Sequence, residues 1–417
     1  MTIGHRYKTT VIMPVLAIVT VLASLTVSGC AVRAHVGATR PDKDVVDAAR
    51  SRCPLVTSGG KISARRGVLL GAGETGTRAQ VPWAKIGPGW VLAEYSASVV
   101  PDSAAKPRLG PVSLYLIDPA GGRYLMYRWA SRRGLSLPDL IDWSPDGSRA
   151  LVEQAPDSTH NAPMVVKQIT LATGKVATFH VPWNVYPQAY ANPDGQAMLA
   201  TSGDQQVKLI RYCLTGRRGP ELANSADLGF AQSDGGTVAV SAKDGIDLVN
   251  ATGTIIRRLT VPGAQAAGGC GPVRWWSAGT VLAACPQHGL WLIPADGATP
   301  RHLSPARNGH GVDPYGDAGA WELPSGLYLQ AVGACSQVYI VRQLPTGHVE
   351  AVNIPGTHGN NNRIIGSLGT RLLVQAQTGC PGSDSLLWFD PATRAVQMLL
   401  PAPHDVIGVF AAIPRVR

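Results

Sequence analysis

A short pattern recurs seven times along this chain, and its spacing limits what the chain can become. Each copy is a short apolar strand, a turn carrying glycine, and a second apolar strand. The clearest copy is DWSPDGSRALVEQ, from Asp142 to Gln154. There Pro145 pre-sets one turn dihedral, Asp146 can bond its own backbone, and Gly147 tolerates a positive φ. The other copies are VPWAKIGPGWVLAEYSA from Val81, YANPDGQAMLATS from Tyr190, GFAQSDGGTVAVSA from Gly229, VRWWSAGTVLAAC from Val273, GAWELPSGLYLQAVGAC from Gly319 and RIIGSLGTRLLVQAQTGC from Arg363. Their turn glycines (Gly89, Gly147, Gly195, Gly235, Gly279, Gly326 and Gly369) fall 40 to 58 residues apart.

A second turn follows each of these hairpins, in stretches such as LIDPAGGRYL from Leu116, DLVNATGTIIRRL from Asp247 and LWFDPATRAVQML from Leu387. Two hairpins per repeat, at a period near the ~40–50 residues of a four-stranded blade, predict seven four-stranded units. A single hairpin is marginal in water, so such units must stack to bury their apolar sides. Closing the stack into a ring removes the exposed edge an open stack would leave. The composition agrees: 47 Gly and 32 Pro interrupt many short apolar runs in a chain that is 45% hydrophobic. The expectation is an all-β protein whose residues 61–417 form a seven-bladed β-propeller. The leftover strands Gly67–Gly71 and Val406–Ile413 would close the ring. If they instead completed a blade together, the count would be eight.

The first 30 residues carry different information. Met1–Thr10 holds His5, Arg6 and Lys8 with no acid, and Val11–Val27 is an apolar, small-residue run containing Pro14. It ends at Val27-Ser28-Gly29-Cys30. This stretch resembles the bacterial lipoprotein signal, whose lipobox is an aliphatic residue, two small residues and cysteine. The resemblance implies removal of residues 1–29 and lipidation of Cys30, the new N-terminus. The two acyl chains of a diacylglycerol thioether on one residue anchor a protein stably where one would be marginal. A signal-anchor helix and an ordinary secretory signal are the rival readings. Residues 30–60 then read as a lipidated tether, and the location as the extracytoplasmic face of the cell membrane. The Ser-Pro-Asp-Gly and Asn-Pro-Asp-Gly turns resemble those of Tol-system-like and WD-repeat-like bacterial propellers, although no Trp-Asp dipeptide ends the third strands. That resemblance implies a propeller used mostly for binding.

Seven cysteines, less Cys30, leave six, an even set that suits an oxidising compartment. On the blade map Cys270 precedes the first strand of blade 5 and Cys285 ends its second, so a bridge within that blade is reasonable. Cys335 and Cys380 end the second strands of blades 6 and 7 and could bridge neighbours. Cys53 and Cys213 remain as a pair by default. Net charge is +10, and removing the signal leaves 35 basic against 27 acidic residues. The basic residues are scattered in pairs such as Arg65-Arg66, Arg132-Arg133, Arg217-Arg218 and Arg257-Arg258. That pattern suits anionic lipid or acidic wall polymers, and lacks the single basic and aromatic face a nucleic-acid binder needs.

Catalytic motifs are missing: the sequence has no GxSxG, HExxH, P-loop or EF-hand loop. No catalytic, cofactor or metal residue is assigned. One loop-face constellation stands out: His160, His288, His310, His358 and His404, which could converge on a metal or supply a general base. Trp183, Tyr186, Trp275, Trp276 and Trp321 lie near blade starts, either packing between blades or lining a mouth that stacks on sugars or peptides. The leading reading is a membrane-anchored lipoprotein whose propeller is a binding or scaffolding module for an envelope protein, glycan or small ligand. A propeller enzyme of quinoprotein-dehydrogenase or lyase type is the alternative.

Overall fold

The second strand of each hairpin reads as a nearly continuous apolar run (RALVEQ, AMLATS, RLLVQAQ), which requires a sheet covered on both faces. In the computed structural model, described over residues 53–54, 67–99, 110–129, 138–154, 162–203, 206–225, 229–266, 268–286, 288–304, 318–332, 338–357, 361–377, 384–402 and 406–415, that is what each neighbouring sheet supplies. Strands β1 (Thr75–Thr77), β2 (Val91–Val99), β3 (Val112–Ile117) and β4 (Arg123–Trp129) begin the fold. Blade 2 is β5 (Asp139–Trp143), β6 (Arg149–Gln154), β7 (Met164–Thr170) and β8 (Val176–Val181). Blade 3 is β9 (Val185–Tyr190), β10 (Ala197–Ser202), β11 (Val207–Cys213) and β12 (Arg218–Ser225). Blade 4 is β13 (Phe230–Gln232), β14 (Val238–Ala242), β15 (Gly245–Val249) and β16 (Ile255–Thr260). Blade 5 is β17 (Gly271–Ser277), β18 (Thr280–Cys285), β19 (Gly289–Pro294) and β20 (Arg301–His302). Blade 6 is β21 (Gly319–Leu323), β22 (Gly326–Val332), β23 (Val338–Gln343) and β24 (Val349–Ala351). Blade 7 is β25 (Asn362–Leu368), β26 (Arg371–Gln377), β27 (Asp384–Asp390) and β28 (Ala395–Leu400), and β29 (Val406–Pro414) follows it.

Blades 2 to 6 are separate four-stranded antiparallel sheets. The nine remaining strands form one sheet, because β29 pairs with β2 and touches β27 through a single parallel bridge, Asp384 to Gly408. Blade 1 is therefore β29-β2-β3-β4, its innermost strand supplied by the far end of the chain, with β1 added in parallel outside β4. Gly408 (φ +80°) permits the close approach, since a Cβ there would lie 2.2 Å from the Asp384 carbonyl oxygen. The protein is an all-β propeller.

Ring closure is visible in the core. Among the described residues, seven apolar clusters each join two adjacent blades. Leu92, Leu116 and Trp90 of the first meet Ala150 and Val152 of the second, and Leu151 and Val166 meet Met198 and Ala200 of the third. The series continues around the ring. It ends where Leu373, Leu386 and Trp388 of blade 7 meet Val91, Ala93 and Val409 of blade 1. Alternate residues of one strand serve opposite neighbours, so Leu151 packs toward blade 3 while Ala150 and Val152 pack toward blade 1. Burial on both faces is the main source of stability here, at roughly 1.5–3 kcal/mol per large aliphatic side chain.

Three details depart from the sequence expectation. Val81–Ile86 is not the first strand of blade 1; Trp83–Lys85 is a 3-10 turn, because Pro82 and Pro88 withhold the N–H groups a ladder needs and β29 takes the inner position. Gly67–Gly71 is irregular, and the short outer strand is β1. In blade 4 it is Gly236 (φ +87°), not Gly235, that adopts the left-handed conformation, and Gly279 does not adopt it.

The outer turns are also pinned. Gly216 and Gly253 (φ +83° and +86°) press on the preceding blade, where a Cβ would lie 2.4 Å from the His180 carbonyl and 2.3 Å from the Glu221 carbonyl. In blade 7 the corresponding left-handed residue is Arg394, φ 62°. Residues 1–52, including the lipobox and Cys30, lie outside the described residues, as do Cys335 and Cys380.

Candidate functional site

The loop end of blade 5 is the part of the predicted histidine face that is described. Cys270, just before β17, and Cys285, at the end of β18, are joined by a disulfide. His288 follows in the next turn: its N–H donates to the Cys285 carbonyl (2.9 Å), and its own carbonyl accepts from Trp291 Nε1 (3.0 Å). The same carbonyl lies 3.0 Å from His302 Nε2, so that nitrogen carries the proton when the bond is made. The His302 and Trp291 ring centroids lie 4.7 Å apart, the planes tilted by 39°. The His288 ring lies over Gly263, where a Cβ would approach it to 3.0 Å. The result is a ledge of imidazoles and an indole beside the disulfide. His160, His310, His358 and His404 lie outside the described residues. Among the described residues no group of three His, Cys, Asp or Glu is placed to hold a metal ion.

A second disulfide joins Cys53 to Cys213, the last residue of β11, fastening the start of the folded body to the outer turn of blade 3. Of the aromatic residues singled out in the sequence, only Trp183 is openly exposed, at 44%. Tyr186, Trp275, Trp276 and Trp321 pack against the inter-blade clusters.

The strongest electrostatic features are on the first and second strands of the blades, and the sequence did not single them out as sites. Glu94 on β2 is fully buried, and its Oε2 accepts from the Leu140 N–H of blade 2 at 2.6 Å. Burial pushes its carboxyl well above the usual range, the Leu140 N–H opposes this, and Asp139 adds to it. Asp142 on β5 repeats the device one blade on: Oδ2 accepts from the Tyr190 N–H (2.7 Å) and Oδ1 from Trp143 (2.8 Å). Burial raises it to about 7 against the pull of those two N–H groups.

Elsewhere donors replace carboxylates. Gln232 of blade 4 accepts from the Asn192 N–H (3.0 Å) and donates to the Tyr190 carbonyl. Arg274 of β17 donates to the Ala320 carbonyl of blade 6 (2.6 Å) and lies between the Trp276 and Trp321 rings, at 4.8 and 5.5 Å. Burial lowers this guanidinium to about 10, still cationic at neutral pH. Gln375 of blade 7 donates to the Val409 carbonyl of blade 1 at 3.0 Å. The signal in the sequence was a charged or amide residue inside an apolar run, as in VLAEY, LIDW and VRWW.

The turn that begins Ser144-Pro145-Asp146-Gly147 is a structural joint. Asp146 accepts from the Ser144 and Ser148 hydroxyls, and its carboxyl is lowered because these bonds, the Ser148 N–H and nearby Arg149 outweigh the effect of burial. Arg415, near the end of the chain, donates to the carbonyls of Ser144 (2.9 Å) and Pro145 and stacks over Trp143. The turn thus receives the chain end that closes the ring.

No protein-family model matches the sequence, and no curated protein matches it. Solved structures similar to it include a prolyl endopeptidase (13% identity, 73% of this chain and 49% of that one, TM-score 0.49). The chain spans about half the length of that enzyme. The β-propeller domain of the Trilobed protease from Pyrococcus furiosus is similar at 11% identity, covering 77% of this chain and 94% of that one, with TM-score 0.47. A 6-phosphogluconolactonase-like protein from Bacteroides uniformis is similar at 14% identity, 77% and 98% coverage and TM-score 0.44.

Proposed function

We propose that this chain is a membrane-anchored extracytoplasmic lipoprotein whose propeller is a binding or scaffolding module for an envelope protein, glycan or small ligand. The observation that carries the reading is the pair of disulfides, Cys53–Cys213 and Cys270–Cys285, in a body that follows the Val27-Ser28-Gly29-Cys30 motif. Disulfides persist on the oxidising side of a membrane, where a lipobox would deliver the chain. The blade faces are consumed by packing against each other, which leaves the loops and the rim to meet a partner.

The test has two parts. Labelling cells with an alkyne fatty acid should tag the wild type in the membrane fraction, and Cys30→Ala should remove the tag; a wild type that stays unlabelled would end the lipoprotein reading. Crosslinking on intact cells should capture a defined envelope component, and its absence would end the binding reading.

A further inference from the structure

The two disulfides of the described residues place their sulfurs in different surroundings. Cys270 and Cys285 are each 3% exposed, and both belong to the apolar cluster between blades 4 and 5. Among the described residues no hydrogen-bond donor reaches either of their sulfurs. An attacking thiolate has little access there, and a departing one has no group to stabilise it. The bond from Cys53 to Cys213 differs on both counts. Cys213 is 2% exposed, but Cys53 is only partly buried where it packs against the cluster between blades 3 and 4.

The second difference is a cation that the local turn brings to the sulfur. β11 ends at Cys213, whose N–H donates to the Arg217 carbonyl (2.9 Å), while the Gly216 N–H donates to the Cys213 carbonyl (2.9 Å). This pairing sets Arg217 opposite Cys213, and Arg217 Nη2 donates to the Cys213 sulfur at 3.6 Å. Gly216 presses on His180 of the preceding blade, which holds the turn in place. A guanidinium at a sulfur favours the thiolate, and in thiol–disulfide exchange the sulfur with the more stable thiolate leaves faster. The two features are complementary: the accessible sulfur is on Cys53 and the stabilised leaving sulfur is on Cys213.

We propose that Cys53–Cys213 is a thiol–disulfide exchange site for a dithiol protein of the extracytoplasmic compartment, attacked at the Cys53 sulfur. A thiolate of the partner bonds to the Cys53 sulfur, the bond to Cys213 breaks, and its electron pair leaves on Cys213 beside Arg217. The partner's second thiolate then attacks the partner sulfur of the mixed disulfide, and Cys53 leaves as a thiolate. The two protons given up by the partner's thiols end on Cys53 and Cys213. Two electrons have passed: this bond is reduced and the partner's dithiol is oxidised to a disulfide. Opening the bond releases Cys53 from blade 3, whose four-stranded sheet is hydrogen-bonded independently of it. The site rests on the extracytoplasmic reading for where its partner resides, and its chemistry is separable from that reading.

The test uses the full-length protein purified in its oxidised form. It is treated with a limiting amount of a thioredoxin-type dithiol protein, quenched with N-ethylmaleimide and read by peptide mass spectrometry. Cys53 and Cys213 should be labelled together, about tenfold faster than Cys270 and Cys285. A dithiol protein whose second cysteine is replaced by serine should be trapped on Cys53. Arg217→Ala should slow opening roughly fivefold at low salt, and Arg217→Lys should retain most of the rate. High salt should narrow the gap between Arg217→Ala and the wild type. The far-ultraviolet circular dichroism spectrum should be unchanged by reduction of this bond.

Equal rates for the two disulfides, or earlier opening of Cys270–Cys285, overturn the proposal. A trap on Cys213, or an Arg217→Ala rate equal to that of the wild type, overturns it as well. Loss of the β-sheet signal on reduction would make the bond a structural staple and also overturns it. None of these outcomes bears on the labelling of Cys30 or the capture of an envelope component, so the proposed function stands or falls separately.

Discussion

Between blades 1, 2 and 3, the side chains that reach across to a neighbouring inner strand are carboxylates: Glu94 accepts from Leu140 N–H, and Asp142 from Tyr190 N–H. Farther round, the same reach is made by donors. Arg274 gives a hydrogen bond to the Ala320 carbonyl, and Gln375 gives one to the Val409 carbonyl. The difference follows from which backbone group the neighbouring strand presents. A carboxylate can only accept when ionised, and a guanidinium can only donate. Each blade junction therefore requires its own side-chain chemistry while the strands on either side look alike. Glu94 and Asp142 carry raised carboxyls and Arg274 stays cationic, so the arc of blades 1 to 3 should respond to pH and the Arg274 junction should not, whereas Gln375 also meets the raised carboxyl of Asp384.

The largest effect should come from emptying a carboxylate junction. Glu94→Ala leaves the Leu140 N–H unpaired in a fully buried position and opens a cavity, at a cost of about 3 kcal/mol. Urea unfolding at pH 5 measures it; a loss below about 1 kcal/mol would show that the junction is not supporting the ring.

Next is the pH profile. Glu94 and Asp142 have folded-state values raised above their unfolded ones, Asp142 to about 7. A raised acid stabilises the fold fully below its unfolded value near 4, and that contribution is lost as pH rises through the folded value. From Asp142 alone, stability should fall by about 1.3 kcal/mol between pH 5 and 8, half the linkage value over that window because Asp142 is only part-buried. Glu94→Gln combined with Asp142→Asn should flatten the profile. A wild type equally stable at both pH values would break the distinction between the two arcs.

The smallest effect should be at the guanidinium junction. Arg274→Met keeps an apolar body between Trp276 and Trp321 but loses the bond to Ala320, for about 1 kcal/mol, unchanged between pH 5 and 8. A pH-dependent loss there would sharpen the comparison by showing that the two arcs are coupled.

The repeating unit was legible because it is a local property. Gly89, Gly147, Gly195 and Gly369 sit in turns that need a positive φ, and the apolar second strands mark sheets buried on both faces. The inner junctions were not legible, because a charge inside an apolar run looks the same whether it faces water or a neighbour's N–H. Asp142 stood inside the most conspicuous copy, yet Asp146 drew the reading, being the residue with obvious turn chemistry. The structure gives Asp146 the turn and Asp142 the blade junction.

The sequence by itself determined the hairpin, its period and the all-β class, since these follow from dihedral preferences and from alternation over a few residues. Only the tertiary structure decided that Val406–Pro414 enters blade 1 in place of Val81–Ile86, and that Arg415 locks onto the turn at Ser144. Those contacts join residues about 300 positions apart. No local propensity encodes them; they arise because a ring that fails to close leaves two unpaired strand edges and two uncovered apolar faces in water.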